Sequence, residues 1–469
     1  MTVEQIYTGC LSQGAYYIES KGEVAIIDPL REVKPYLERV AKDQAKVKYI
    51  FETHFHADFV SGHLTLAKET GAPIVYGPNA NPDFDVIIAH DQQEFPLGEL
   101  TIIALHTPGH TLESTTYLLR DKNGKDHAIF SGDTLFLGDV GRPDLAQKAA
   151  AMTKEDLAGL LFDSLQEKII PLADDVIVYP AHGAGSACGK NMMKETVDTL
   201  GNQKKMNYAL RKDITREEFI QEVTEGLLPP PSYFPLNVKM NKSGYEDIDQ
   251  VLQRGSRALS PKEFEEVANS EDALILDVRH QNDFVKGHIP QSIFIGIDGG
   301  FAPWVGALIA DVNQPLLLIT PLGREEETIT RLSRVGFDHT LGYLKGGFAQ
   351  WKDEGNDYDS IESVSADSMA KDHQQNNTPI FDVRKDGEYT SEHVEGATHT
   401  PLDFINTHLK KFPKQGPFYL HCAGGYRSVI AASILKKRGI HNMIDVQGGF
   451  KAIRETVVPL TDYVCPSTL

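Results

Sequence analysis

The second half of this chain is written twice. The stretch ALILDVRHQNDFVKGHIPQSIFI near 273–295 returns as TPIFDVRKDGEYTSEHVEGATHTPL near 378–402. Asp277 and Asp382 stand 105 residues apart, as do His288 and His393. Further on, LKGGFAQW at 344–351 returns as VQGGFKAI at 446–453. A period of that size is one small domain, so two copies of a single fold are expected, over 255–356 and 361–469. Apolar strand cores such as ALILDV and PIFDV alternate with helical stretches such as RSVIAASILKKRG, which Gly439 ends. That alternation predicts a parallel sheet covered by helices on both faces.

Residues 1–240 alternate in the same way, and the residues just past each strand are informative. After VKYIFE come His54, His56 and Asp58; after LTIIAL comes HTPGHT with His110; after AIFSG comes Asp133; after DVIVYPA comes His182. α/β folds commonly build their sites just past the C-terminal ends of strands, and a His-x-His step with carboxylates nearby is a metal-ligand pattern. Two histidines and one carboxylate with open positions suit Fe(II) that activates dioxygen. A hydrolytic zinc accepts the same set. Between the halves, LLPPPSYFPLNV at 227–238 is expected to be a stiff linker.

A net charge of −20 excludes a nucleic-acid surface, which needs clustered Lys and Arg. The N-terminus carries no secretory pattern, and no apolar run approaches the ~20 residues of a membrane span. Four cysteines, at 10, 188, 422 and 465, show no paired spacing, which points to a reducing, cytoplasmic setting. Cys422 differs from the rest. It lies in FYLHCAGGYRSVIAASIL, where a strand delivers it to a loop ending at Arg427 and a helix. Backbone N–H groups there would cradle an anion and activate the thiol. The earlier copy reads LLLITPLGREEETITRL, with Thr320 or Pro321 in the nucleophile's place, and is expected to be inactive.

THFHAD, TPGHT, FSGDT and PAHG, in that order, resemble the metallo-β-lactamase superfamily, which implies an αββα sandwich. In its two-metal hydrolases of the glyoxalase II type the loop ends in a histidine; here that position is Phe59, which disfavours a second ion. The resemblance is to the persulfide dioxygenases, which implies one Fe(II) held by His54, His110 and Asp133. His56, Asp58 and His182 would surround it. The segment GDVGRPDL is similar to that family's and implies a thiol-binding role for Arg142, with Tyr179 lining the same pocket, although Pro143 and Leu145 depart from its pattern. The motifs DVR, H-x-x-GA and C-x-x-G-x-R-S resemble rhodanese sulfurtransferases, with Cys422 and Arg427 catalytic. Expected partners are small: a persulfide of glutathione, coenzyme A or bacillithiol, with O2, thiosulfate and sulfite. A homo-oligomer is expected, with the inactive copy as interface. The runner-up is a mononuclear zinc thioester hydrolase of the glyoxalase II type with an accessory sulfurtransferase domain.

Overall fold

The computed structural model describes residues 1–465, with backbone only at 148 and 149. It divides into two compact units, Met1–Ile248 with Ser333–Gly336, and Asp249–Leu332 with the residues from Phe337 onward.

The first unit is built on two six-stranded sheets. One runs in chain order: Thr2–Thr8, Gln13–Ser20, Glu23–Ile27, Lys46–Phe51, Ile74–Tyr76, Ile87–Ile88. The other is ordered Asp198–Thr199, Ile177–Pro180, Asp126–Gly132, Thr115–Arg120, Leu100–His106, Glu94–Leu97. Alternation along each strand sends neighbouring apolar residues to opposite faces. Ile27, Phe51, Ile102, Tyr117 and Phe130 meet between the sheets. Ile26 and Ile50 turn outward onto Val33, Tyr36 and Leu66, beneath helices Lys34–Lys42 and His63–Thr70. On the far side Ile103, Leu118 and Ile129 pack on Ala158, Leu161 and Phe219, from helices Lys154–Ser164 and Arg216–Thr224. The result is the four-layer αββα sandwich expected from the sequence. Each of those two helices opens on a reciprocal cap, Thr153 with Asp156 and Thr215 with Glu218.

The proline-rich stretch does not remain a linker. Residues Phe234–Ser243 form a helix of the first unit, with Pro235 in its first turn, where a missing N–H costs nothing.

The second unit carries the repeat as two five-stranded parallel sheets. Their orders are Ala258–Leu259, Thr340–Leu344, Leu316–Ile319, Leu274–Asp277, Ile293–Phe294 and Ser363–Val364, Met443–Val446, Phe418–His421, Ile380–Asp382, Thr398–His399. Element by element the order is the same. Asp277 and Asp382 are buried at matching strand ends, each gripping the arginine two residues on, Arg279 and Arg384. The copies touch through Tyr426, whose hydroxyl donates to Gly296 O at 2.8 Å, and through Phe294 N–H, which donates to Ser433 Oγ at 3.0 Å. Among the described residues no helix is long and apolar enough to cross a membrane.

Candidate metal centre and candidate thiol site

Strand ends deliver the first site. His54 comes after Lys46–Phe51, His110 after Leu100–His106, Asp133 after Asp126–Gly132, and His182 after Ile177–Pro180. Before Asp133 the register with the neighbouring strand shifts between Phe130 and Gly132, and Gly132 adopts φ 54°. A Cβ there would lie 2.7 Å from the Thr53 side chain, so glycine is required to turn the aspartate inward.

His54, His110 and Asp133 are all buried, and one donor atom from each lies within 4.8 Å of the others. His110 Nε2 is 3.4 Å and His54 Nε2 3.9 Å from Asp133 Oδ2. Hydrogen bonds assign the tautomers. His110 Nδ1 donates to the Arg142 carbonyl at 2.8 Å. Thr53 Oγ1 donates to Asp28 Oδ2 at 2.9 Å and accepts from His54 Nδ1 at 3.0 Å. Both rings therefore turn Nε2 and its lone pair toward Asp133, the arrangement that metal-binding histidines need. Burial, and then the neighbouring imidazoles, push His54 well below the usual histidine range, which keeps it neutral and able to ligate. Both Asp133 carboxylate oxygens are buried without a hydrogen-bond partner. Buried carboxylate oxygens in that state call for a cation. The residues fit a mononuclear metal.

His56 takes another direction. Its Nε2 lies 3.1 Å from Asp28 Oδ1 and 3.4 Å from Glu52 Oε2, all fully buried. Although burial pushes it down, those carboxylates hold His56 well above the usual range, so the ring is an imidazolium and a poor ligand. Phe59 stacks on it at 4.3 Å and is itself wholly buried. Asp58 and His182 complete a second trio with His56. His182 Nε2 is 3.5 Å from Asp58 and 3.6 Å from Asp133. With His56 charged and Phe59 offering no donor, that trio is a weak place for a second ion.

Three neighbours of the site left no trace in the sequence patterns. Asn241, from helix Phe234–Ser243, donates to the carbonyls of His56 and Phe59, both at 2.8 Å, and accepts from Ser61 N–H. Asp28 holds Thr53 and faces His56. Cys188 brings its sulfur within 4.8 Å of donors from Asp133 and His182. Burial, then Asp58 and Asp133, push that thiol well up, so it stays protonated.

The side chains of the two expected substrate residues are engaged by near neighbours. The Arg142 guanidinium is buried and engaged by both oxygens of Asp144 and by the carbonyls of Ala187 and Leu228. Tyr179 stacks on Phe130 at 5.3 Å and faces Tyr16 at 5.2 Å, half-buried against the core between the sheets.

The second site forms where strand Phe418–His421 ends. Cys422 is 1% exposed, and Gly425 N–H donates to its Sγ at 3.1 Å. Gly425 has φ 98°, which tips that N–H toward the sulfur ahead of helix Tyr426–Lys437. Gly449 closes against the loop from behind; a Cβ on it would meet Cys422 O at 2.3 Å. Arg427 is held by both oxygens of Glu388, at 2.6 and 2.8 Å. The earlier copy shows what the loop does without a thiol. Strand register sets Thr320 in the place of Cys422 and Glu325 in that of Arg427. Glu325 Oε1 accepts from Gly323 N–H at 3.1 Å and lies 3.4 Å from Thr320 Oγ1. That cradle is filled by the chain's own carboxylate.

Comparison with known proteins agrees with this arrangement. The family model described as metallo-beta-lactamase superfamily matches residues 8–182, and the rhodanese-like domain model matches 260–354 and 365–456. A hydroxyacylglutathione hydrolase of Tolumonas auensis is 33% identical over 36% of this chain and 60% of its own length. The mitochondrial persulfide dioxygenase ETHE1 of Homo sapiens is 28% identical over 47% of this chain and 78% of its own. The matches span 53–66% of the lengths of three such hydrolases. A crystal structure of a metallo-beta-lactamase from Staphylococcus aureus subsp. aureus COL superposes with a TM-score of 0.65 at 28% identity, over 74% of this chain and 99% of that one. The chain therefore carries a metallo-beta-lactamase domain followed by two rhodanese-like domains.

Proposed function

We propose that the first unit oxidises low-molecular-weight persulfides with dioxygen and that Cys422 transfers sulfane sulfur. The observation that carries the reading is the three-donor set His54, His110 and Asp133, with both Asp133 oxygens unpartnered and Phe59 where a further ligand would stand. Ferrous iron in such a set supplies redox chemistry with dioxygen. Burial holds the His54 imidazole neutral, and Thr53 and the Arg142 carbonyl aim the two rings. The net reaction is R–S–SH + O2 + H2O → R–SH + H2SO3. At the second site Cys422 exchanges sulfane sulfur between thiosulfate, sulfite and a thiol. Sulfite and persulfide are common to both reactions, a chemical reason to join them in one chain.

Oxygen uptake by Fe(II)-loaded protein on adding glutathione persulfide tests this, with Cys422→Ser alongside. Uptake that persists in the mutant, with sulfite formed, is expected; absence of uptake in both proteins overturns the reading. A second reading, a zinc thioester hydrolase, is favoured by relatives named hydroxyacylglutathione hydrolase at 30–33% identity. Thioester hydrolysis by the zinc-loaded protein that survives strict anaerobiosis would establish it instead.

A further inference from the structure

Behind Cys422 runs a buried polar chain that exchange at the sulfur alone leaves unused. The Cys422 thiol lies 3.7 Å from Ser428 Oγ, and that hydroxyl donates to Asp445 Oδ1 at 2.7 Å. Asp445 Oδ2 accepts from Ser363 Oγ at 3.2 Å. Cys422, Ser428 and Asp445 are 1%, 0% and 3% exposed, so water does not reach the chain. A carboxylate in such a place is costly to keep ionised, and neighbouring hydroxyls offset only part of the cost. Burial pushes Asp445 up to about 6, against the two serine hydrogen bonds. The groups facing it from the elements packed against its strand are Ser428 on helix Tyr426–Lys437, Ser363 on strand Ser363–Val364, and Leu420, its register partner on strand Phe418–His421. The charged groups around the loop are engaged with one another: Arg427 with Glu388, and Arg384 with Asp382, which His421 also approaches at 3.8 Å.

The inactive copy makes the comparison that reveals the role. In register, Leu318 pairs with Tyr343 as Leu420 pairs with Asp445. Tyr343 therefore takes the place of Asp445. By the same alignment Glu326 replaces Ser428 and Thr320 replaces Cys422. The buried Asp–Arg pairs that brace the two folds persist in both copies. Serine and carboxylate vanish where the thiol vanishes, so they go with the thiol's chemistry and not with the fold.

We propose that Asp445, acting through Ser428, is the proton acceptor and donor for Cys422 during sulfur transfer. This rests on the sulfurtransferase reading of the second site. On loading, the Cys422 S–H proton passes to Ser428 Oγ while the Ser428 hydroxyl proton passes to Asp445. The thiolate bonds to the outer sulfur of thiosulfate, whose S–S bond breaks with its electron pair leaving on sulfite. In sum, Cys–SH + COO⁻ + S2O3²⁻ → Cys–S–S⁻ + COOH + SO3²⁻. On discharge, a thiolate RS⁻ takes the outer sulfur and Cys422 leaves with the electron pair. The proton then returns: Cys–S–S⁻ + COOH + RS⁻ → Cys–SH + COO⁻ + R–S–S⁻. No external oxidant or reductant is needed. Ser428 touches the reacting sulfur; Asp445 is a positioning residue that acts through it.

The test is thiosulfate-to-glutathione sulfur transfer by the full chain across pH 5–9, comparing wild type with Asp445→Asn and Ser428→Ala. Wild-type kcat/KM is expected to rise with pH through about 6, as the acceptor loses its proton. Asp445→Asn should lack that limb, and kcat of both variants should fall about 100-fold with the KM for thiosulfate little changed. An Asp445→Asn enzyme that keeps the limb, or keeps kcat within about twofold, overturns the proposal. Should that variant fail to fold, Ser428→Ala decides alone by the same loss or retention of kcat. A wild type that moves no sulfur from thiosulfate would instead sink the sulfurtransferase reading beneath it.

Discussion

His56 and Asp445 show how far burial decides what a single side chain does. His56 sits in a His-x-His step, yet its Nε2 faces Asp28 and Glu52 while its neighbour two residues back faces Asp133. Asp445 belongs to no motif and is decided wholly by what it is buried against. Its carboxyl has an ordinary value of 3.8 and is raised to about 6 in the fold. Between about pH 4 and 6 the folded chain therefore holds a proton that the unfolded chain has released. The stabilisation from this group is complete below about 4 and is lost as pH rises through about 6, amounting to about 3 kcal/mol. Asp445→Asn cannot ionise and escapes that loss. Its stability should gain on wild type by about 2 kcal/mol between pH 4.5 and 8, measured by urea unfolding at each pH. Unfolding curves that stay parallel across that range would show that Asp445 does not titrate there.

At the scale of elements, strands and loops were legible and one helix was not. Strand ends announced themselves because an apolar run capped by Gly, His or Asp is a local pattern. Helix Phe234–Ser243 was hidden by the prolines before it, which suggested an extended segment. Its Pro235 in fact lies in the first turn, where proline favours helix. That helix matters because Asn241 satisfies two carbonyls and one N–H of the loop carrying His56 and Phe59. Asn241→Ala would leave these buried groups unpaired, at about 1–3 kcal/mol each. Destabilisation of about 3 kcal/mol or more is expected, with reduced metal retention after gel filtration, read by thermal melting and metal analysis. A variant with wild-type melting and metal content would show that the loop holds itself. Arg142 and Tyr179 belong to the same lesson. A motif position cannot say whether a guanidinium is free or already held by Asp144, nor which face of a strand carries a ring.

For the whole molecule, the two sites lie in different compact units, the donors of the metal cluster in the first and Cys422 in the second. Stripping metal with a chelator should abolish persulfide-dependent oxygen uptake and leave thiosulfate sulfur transfer within about twofold, since no donor atom of the first site belongs to the second unit. Loss of both activities together would mean that the metal supports the second site as well. What the sequence determined by itself was the order of domains, the repeat, the donor types at successive strand ends, and the missing thiol of the earlier copy. Each of these is written in contiguous residues, whose periodicity and chemistry fix the local backbone path. Only the tertiary structure decided which nitrogens of His54 and His110 face Asp133, that Glu325 fills the earlier copy's cradle, that Asn241 braces the loop of His56 and Phe59, and that Asp445 stands behind Cys422. Most of those contacts join residues far apart in the chain, 185 positions from Asn241 to His56 and 17 from Asp445 to Ser428. Burial gives each contact its meaning, because a charge or hydrogen bond shut away from water must be answered by whichever group the packing brings beside it.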